Sequence, residues 1–334
     1  MQTLNHLKRA LGLGILALFC AATARAAPPL QIGFMPIIAD SQAFVIADGL
    51  TAHNPLKGAR MISFQNGPEI VQALLSGQLD VAYVGAGPAM VARAGGADVR
   101  FVAGNEYGPA RVLALGNLAP FFKDATPAEA IAHFTQAQGR KPRITTFPIG
   151  SGPAAALRQW LRDQTGAGLD SVQIVYQGEN QVVQSLLTGA VDGTVSPDPA
   201  IDIVMARQPS AKVVDLIPDQ PGAGLLVRER LIKDDPDVVR ALVVAQIEAT
   251  DLLRNQPKKA AVAVQKYLGG GRLPMDIVLQ SMSHLTYDPD PRRLERDTAK
   301  LYAFQNSMGV FKKPLTVSEL FDPGFYDELK GAAK

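Results

Sequence analysis

The sequence predicts an α/β protein of two similar lobes, each a largely parallel sheet with helices on both faces. Three observations predict it. A stretch is written twice: residues 69–80 read EIVQALLSGQLD and residues 181–192 read QVVQSLLTGAVD. Strands and helices alternate with short connections along most of the chain, the pattern of covered, mainly parallel sheets. A composition of 334 residues, 47% hydrophobic and 19% charged, suffices for one or two full cores and carries no disorder signature.

The elements follow in order. LQIGFMP at 30–36 alternates and is rich in β-formers, so it reads as the first strand. Asp40 or Ser41 then stands where a helix N-cap belongs, with Gly49 near that helix's end. ARMISF at 59–64 reads as a strand, and the first repeat copy as a helix closed by Gly77. VAYVGAGP runs into the turn Gly85-Ala86-Gly87-Pro88 and a helix at 88–94, and VRFVAG at 99–104 is the next strand. After Arg111–Leu115 a looser segment leads to a helix at 127–138. RITTF at 143–147 enters Gly150-Ser151-Gly152-Pro153 and a helix, VQIVY at 172–176 precedes the second copy, and a helix at 199–206 and KVVDL at 212–216 complete this set. A strand from Gly222 and helices at 236–255, 257–268, 274–284 and 291–308 return to the first lobe. The expected division is therefore 27–115 plus 220–334 as one discontinuous lobe and 116–219 as the other, with a two-segment hinge near residues 115 and 220.

The first residues predict export. Lys8 and Arg9 precede an apolar run from Ala10 to Ala22 and the small residues around Ala26, the three parts of a secretory signal peptide, so residues 1–26 are expected to be removed. The only cysteine, Cys20, lies inside that segment with Phe19 before it, a poor lipidation site. A mature chain without cysteine has neither disulfide nor thiolate metal site. The net charge of +2, with no basic stripe, argues against nucleic acid.

Three strings carry a resemblance to a known family: 69–104, FPIGSGPAAALRQWL at 147–161 and VVQSLLTGAVDGTVSPDPA at 182–200, with the return 225–261 leading into the C-terminal helices. They resemble the periplasmic solute-binding proteins of ATP-binding-cassette importers for nitrate, alkanesulfonates, taurine and pyrimidine thiamine precursors. The resemblance implies the two-lobed periplasmic-binding-protein fold, two doubly wound α/β domains joined by the hinge, and a small-molecule ligand between the lobes. It also implies a permease in the inner membrane as partner and a periplasmic location. A monomer is expected, since nothing in the sequence indicates an oligomer surface, and no cofactor or metal is expected.

Helix N-termini at the carboxyl ends of strands offer free N–H groups to a ligand. On that ground Ser151 and Gly152, and Gly87 and Pro88 in the corresponding turn, are candidate contacts. Asp40 and Ser41 are candidates that capping explains equally well, Glu106 and Tyr107 offer a carboxylate and a ring, Asn180 either caps a helix or touches ligand, and Asp198 precedes Pro199. Asp80 and Asp192, at the amino ends of their strands, read as structural.

Asp40, Glu106, Glu179 and Asp198 surround a cleft with Arg111 the only nearby base, so an anion bound by helix ends competes with an amine-bearing ligand, such as taurine or an aminopyrimidine; an aromatic carboxylate is a further alternative. His53, His133 and His284 have no metal-ligand spacing, and Gly-x-Ser-x-Gly does not occur around Ser151, so catalysis is not expected. The enzymatic alternative, a pyrimidine-synthesising enzyme of the same fold, needs a cysteine-rich motif that the mature chain lacks. A ligand-sensing module remains open from sequence alone.

Overall fold

The computed structural model describes residues 29–163, 166 and 168–331; the expected signal peptide and Cys20 lie outside them. The first lobe starts with β1 (Gln31–Phe34), α1 (Ser41–Ala47), β2 (Arg60–Ser63), α2 (Gly67–Leu75), β3 (Val81–Gly85), α3 (Ala86–Ala94) and β4 (Val99–Gly104). β5 (Glu106–Ala114) crosses to the second lobe, which adds α4 (Pro127–Gln138), β6 (Arg143–Thr146), α5 (Gly152–Asp163), β7 (Gln173–Tyr176), α6 (Glu179–Leu187), β8 (Gly193–Val195), α7 (Ala200–Arg207) and β9 (Lys212–Gln220). β10 (Ala223–Arg228) returns to the first lobe, followed by α8 (Glu229–Asp234), α9 (Pro236–Asn255), α10 (Pro257–Tyr267), α11 (Met275–Ser283), β11 (Thr286–Tyr287), α12 (Pro291–Ser307) and α13 (Gly324–Gly331).

The two sheets have one plan. The first runs β2-β1-β3-β10-β4 and the second β7-β6-β8-β5-β9, with β11 on the start of β5. In each, three parallel strands are followed by one antiparallel strand supplied by the chain returning from the other lobe. The sheets are thus parallel except for an exchanged strand, a feature that follows from the two crossings rather than from any local pattern.

The repeat explains how each lobe is pinned. Gly77 and Gly189 close α2 and α6 with φ of 75° and 70°, a left-handed conformation that costs a glycine least. The aspartate that follows each then clamps the first strand of its own lobe. Asp80 Oδ2 accepts from Gln31 N at 3.0 Å, and Asp192 Oδ2 accepts from Arg143 N at 2.7 Å. Asp192, fully buried, also accepts from Asn117 and from both Nη atoms of Arg140.

Helix starts carry the expected caps. Asn66 accepts from Glu69 N, Thr126 and Glu129 form a capping box, and Asp235 accepts from Val238 N. Asp40 occupies the cap position of α1, but its side chain does not cap; Oδ2 accepts from Met35 N at 2.8 Å instead. α3 begins at Ala86, so the turn expected at 85–88 is already the first helical turn.

The helices after β10 cover the first lobe: Val239, Leu242 and Val243 of α9 and Val264 of α10 join Ile32, Val81 and Leu225 in one buried cluster. A second cluster fills the other lobe around Phe134, Leu157 and Trp160. A third is continuous across the lobe boundary, joining Met35, Ile37 and Ile70 to Phe147, Ala155 and Val182, so the lobes are closed on one another.

The crossings lie side by side. The chain passes between sheets at Asn105–Glu106, upstream of the expected residue 115, and again at 221–222. In sequence Asn105-Glu106-Tyr107-Gly108-Pro109 reads as a loop after β4, and the apolar run from Arg111 is only the later part of the exchanged strand. Asn105 N donates to Ala223 O at 3.0 Å, its Nδ2 donates to Ala39 O, and its Oδ1 accepts from Gln246.

Candidate functional site

Between the lobes lies a cleft of about 160 Å³. The first lobe gives Met35, Ile37, Val84 and Pro88, the second Phe147, Ser151, Gly152, Pro153, Val195, Ser196 and Asp198, and the crossing strands Glu106, Arg111, Gln220 and Gly222. These are mostly the ends of strands and the starts of helices, because β3 runs into α3, β6 into α5 and β8 into α7.

The polar groups are few and their partners specific. Ser151 Oγ accepts from Ala154 N at 3.2 Å, so the hydroxyl caps α5 while facing the cleft. Ser196 Oγ is buried with no hydrogen-bond partner among the described residues. Arg111 Nη1 donates to both oxygens of Asp198 at 2.9 Å and to Asp202 Oδ1 at 3.0 Å. The one guanidinium of the cleft is therefore already held by two carboxylates.

Glu106 is 8% exposed and sits at the hinge as well as in the cleft. Its Oε1 accepts from Ala223 N at 2.9 Å, across the two crossing segments. A Cβ on Gly222 would lie 1.9 Å from Glu106 O, so only glycine lets the segments approach this closely. Burial pushes the Glu106 carboxyl up to about 7, against the pull of the Ala223 N–H.

The other acids share this environment. Burial raises the Asp40 pKa well above its ordinary value, with the Met35 N–H opposing and Glu106 adding repulsion. Burial likewise raises Glu179, with Asp40 and Asp198 adding repulsion, and its Oε2 has no partner among the described residues. Asp198 is raised by burial in spite of Arg111. The site is short of positive charge.

Of the candidate residues, the structure brings Pro88, Glu106, Ser151, Gly152 and Asp198 to one cleft. Asp40 and Ser41 lie behind its wall; Ser41 Oγ donates to Ile38 O at 2.6 Å. Gly87 faces the other lobe's backbone, where its Cβ would lie 2.5 Å from Gly150 O. Tyr107 turns away from the cleft, its ring 3.4 Å from the Arg293 guanidinium carbon, and Asn180 is exposed in the first turn of α6. Sequence reasoning did not select Met35, Phe147, Ser196 or Gly222. The apolar ones look like any core residue in sequence, and Gly222 has its role only because another segment passes beside it.

Asp198, Asp202 and His284 bring potential metal-ligand atoms within 4.8 Å of one another. Arg111 lies among them at hydrogen-bond distance from both carboxylates, which fills that position with a cation of the chain's own.

Comparison with known proteins agrees with this architecture. The model of the NMT1-like family matches residues 23–267. A protein of Brucella abortus is 26% identical over 249 residues, 72% of each chain. Among solved structures, the periplasmic nitrate-binding protein NrtA from Synechocystis PCC 6803 superposes with a TM-score of 0.76 at 14% identity, covering 92% of this chain and 89% of the other. The alkanesulfonate-binding protein SsuA from Xanthomonas axonopodis pv. citri, bound to MOPS, gives 0.70 at 17% identity, covering 88% and 98%. A ligand-binding component of an ABC-type import system from Staphylococcus aureus, with zinc bound, gives 0.74 at 17%, covering 90% and 98%. The fold is that of two-lobed periplasmic binding proteins, and the proteins it resembles are binding proteins.

Proposed function

The chain belongs to the NMT1-like family, and from that premise we propose that it is the extracytoplasmic solute-binding component of an ABC import system. After signal-peptide cleavage near Ala26, the monomeric protein captures a small organic solute between its lobes in the periplasm and delivers it to a membrane permease. Pro88, Glu106, Ser151, Gly152 and Asp198 are its contacts, with Asp40, Ser41 and Gly87 shaping the walls.

The solute in this reading carries a protonated or hydrogen-donating nitrogen on an apolar body. One observation carries it: among the described residues, the only basic side chain lining the cleft, Arg111, is shared by Asp198 and Asp202, while Glu106 is buried with no ion-pair partner. A sulfonate or nitrate entering such a site finds no free cation in a low-dielectric space; an ammonium supplies the partner whose absence lets burial raise the acids. The helix start at Ser151–Gly152 then receives a neutral acceptor on the same molecule.

The test is a thermal-shift screen of residues 27–334 against primary arylalkylamines, aminopyrimidines, taurine, short alkanesulfonates, nitrate and aromatic carboxylates. A ligand that binds only the folded state raises the melting temperature by mass action. Stabilisation by amines, lost in Glu106→Gln, is expected; stabilisation confined to the simple anions defeats the amine reading and leaves the solute-binding role intact.

A further inference from the structure

Asp202 is buried on α7 and does not line the cleft, yet it makes more contacts than any acid that does. Its Oδ1 accepts from Arg111 Nη1 at 3.0 Å and from Gln280 Nε2 at 3.3 Å. Its Oδ2 accepts from Ser281 Oγ at 2.7 Å and lies 3.3 Å from His284 Nε2. α7 belongs to the second lobe, whereas Gln280 and Ser281 lie on α11 and His284 directly follows it, in the helical layer of the first. A carboxylate of one lobe is thus held by the side chains of the other.

The same Nη1 that serves Asp202 donates to Asp198, which faces the cleft. One guanidinium is divided between a carboxylate that meets the solute and a carboxylate that joins the lobes. His284 does not make up the difference, because burial and the neighbouring Arg111 lower its pKa in spite of Asp202.

We propose that Asp202 is a positioning residue that couples solute occupancy to lobe closure. This rests on the cleft being the solute site. A cationic group beside Asp198 relieves that carboxylate's demand on Arg111, Arg111 engages Asp202 more fully, and Asp202 is held in the orientation that receives Ser281 and Gln280 across the lobe boundary. Opening breaks the bonds to α11, so the closed state is favoured when the cleft is filled. The two-state element is the α7–α11 contact, and both the solute and the lobe geometry bias it.

The mature chain has no cysteine, so a fluorophore pair is installed cleanly through Lys141→Cys and Lys258→Cys, both exposed and one on each lobe. Single-molecule energy transfer then reads the closed-to-open ratio of the whole protein, empty and with 2-phenylethylamine as probe. In the empty protein, Asp202→Asn and Ser281→Ala are each expected to lower that ratio about tenfold, the change expected for loss of one hydrogen bond to a charged group. With the probe bound, the parent closes and Asp202→Asn responds less. A contact that is merely structural lowers the melting temperature and leaves the ratio alone; an unchanged ratio in both variants overturns the proposal, and so does full closure of Asp202→Asn by the probe. Failure of the probe to bind the parent counts against the amine reading, while the ratio in the empty protein still decides whether Asp202 holds the lobes.

Discussion

Gly87→Ala adds one methyl group where the lobes meet. A Cβ at this position lies 2.5 Å from Gly150 O, 3.2 Å from Gly152 N and 3.3 Å from Ser151 C, all backbone atoms of the opposite lobe. Backbone cannot rotate away as a side chain can, so the α3 start and the 150–152 loop must part by roughly 0.5 Å or more to restore ordinary contact. Overpacking of this kind costs about 1–3 kcal/mol, and because it is felt only when the lobes are closed, it appears as solute affinity weakened about 5- to 150-fold. The lobe itself does not suffer. Gly87 is the second residue of α3 and has no left-handed φ, so alanine suits the helix at least as well. Calorimetric titration with the best amine of the screen, alongside the melting temperature of the empty protein, separates the effects: affinity falls and the melting temperature holds or rises slightly. Wild-type affinity in Gly87→Ala would refute the reasoning, because the solute-bound state would then not require this approach of the lobes.

Two further predictions concern titratable groups. Burial lifts Glu106 from 4.5 to about 7, so between those values the folded protein holds a proton that the unfolded chain has released. Stability of the empty protein therefore falls as pH rises through that window, by at most on the order of 3 kcal/mol. Glu106→Gln reduces this slope by its share in urea unfolding at pH 5 and pH 8, the remainder belonging to the other buried acids, Asp40, Glu179 and Asp198; an unreduced slope shows that Glu106 is not among its causes. Solute binding by an ammonium strengthens across the same window, as the carboxylate becomes charged. Asp192 has the opposite sign: burial raises its pKa, but hydrogen bonds from Arg140, Arg143 N and Asn117 together outweigh that and leave it lowered. Its contribution is present above the ordinary carboxylate range and is lost as pH falls through the lowered value. Asp192→Asn should cost about 1–2 kcal/mol of stability by weakening charge-assisted hydrogen bonds to a buried carboxylate whose partner Arg140 stays solvated, while leaving solute affinity unchanged; a matching loss of affinity would show that the clamp acts on the cleft.

The sequence by itself determined what depends on neighbours in the chain. Apolar spacing and strand-forming runs located nearly all of the long helices and strands, and Gly77 and Gly189 marked helix ends because the left-handed residue there favours glycine on local grounds alone. The repeat showed that there are two lobes, and the position of Asp80 and Asp192 at strand starts was enough to read them as structural. Short elements with little periodicity of their own, α8, β11 and α13, were not legible, since partners far away in the chain hold them. The crossing lies at Asn105–Glu106 rather than near residue 115, because Glu106-Tyr107-Gly108-Pro109 reads locally as a loop and only pairing reveals that it is the start of the exchanged strand.

The candidate site was legible as a set of strand ends, and tertiary structure sorted its members. Asp40 and Ser41 form bonds behind the wall, and Tyr107 lies against Arg293, although in sequence each had the same claim as Glu106. Composition gives one arginine and several acids near the cleft; it does not say that Arg111 is committed to both Asp198 and Asp202. Nor does it say that Asp202 reaches Ser281, 79 residues away in the chain. Those facts decide which charge the cleft lacks and how the lobes are joined, and they depend on distances of a few ångströms between segments whose proximity no local pattern encodes.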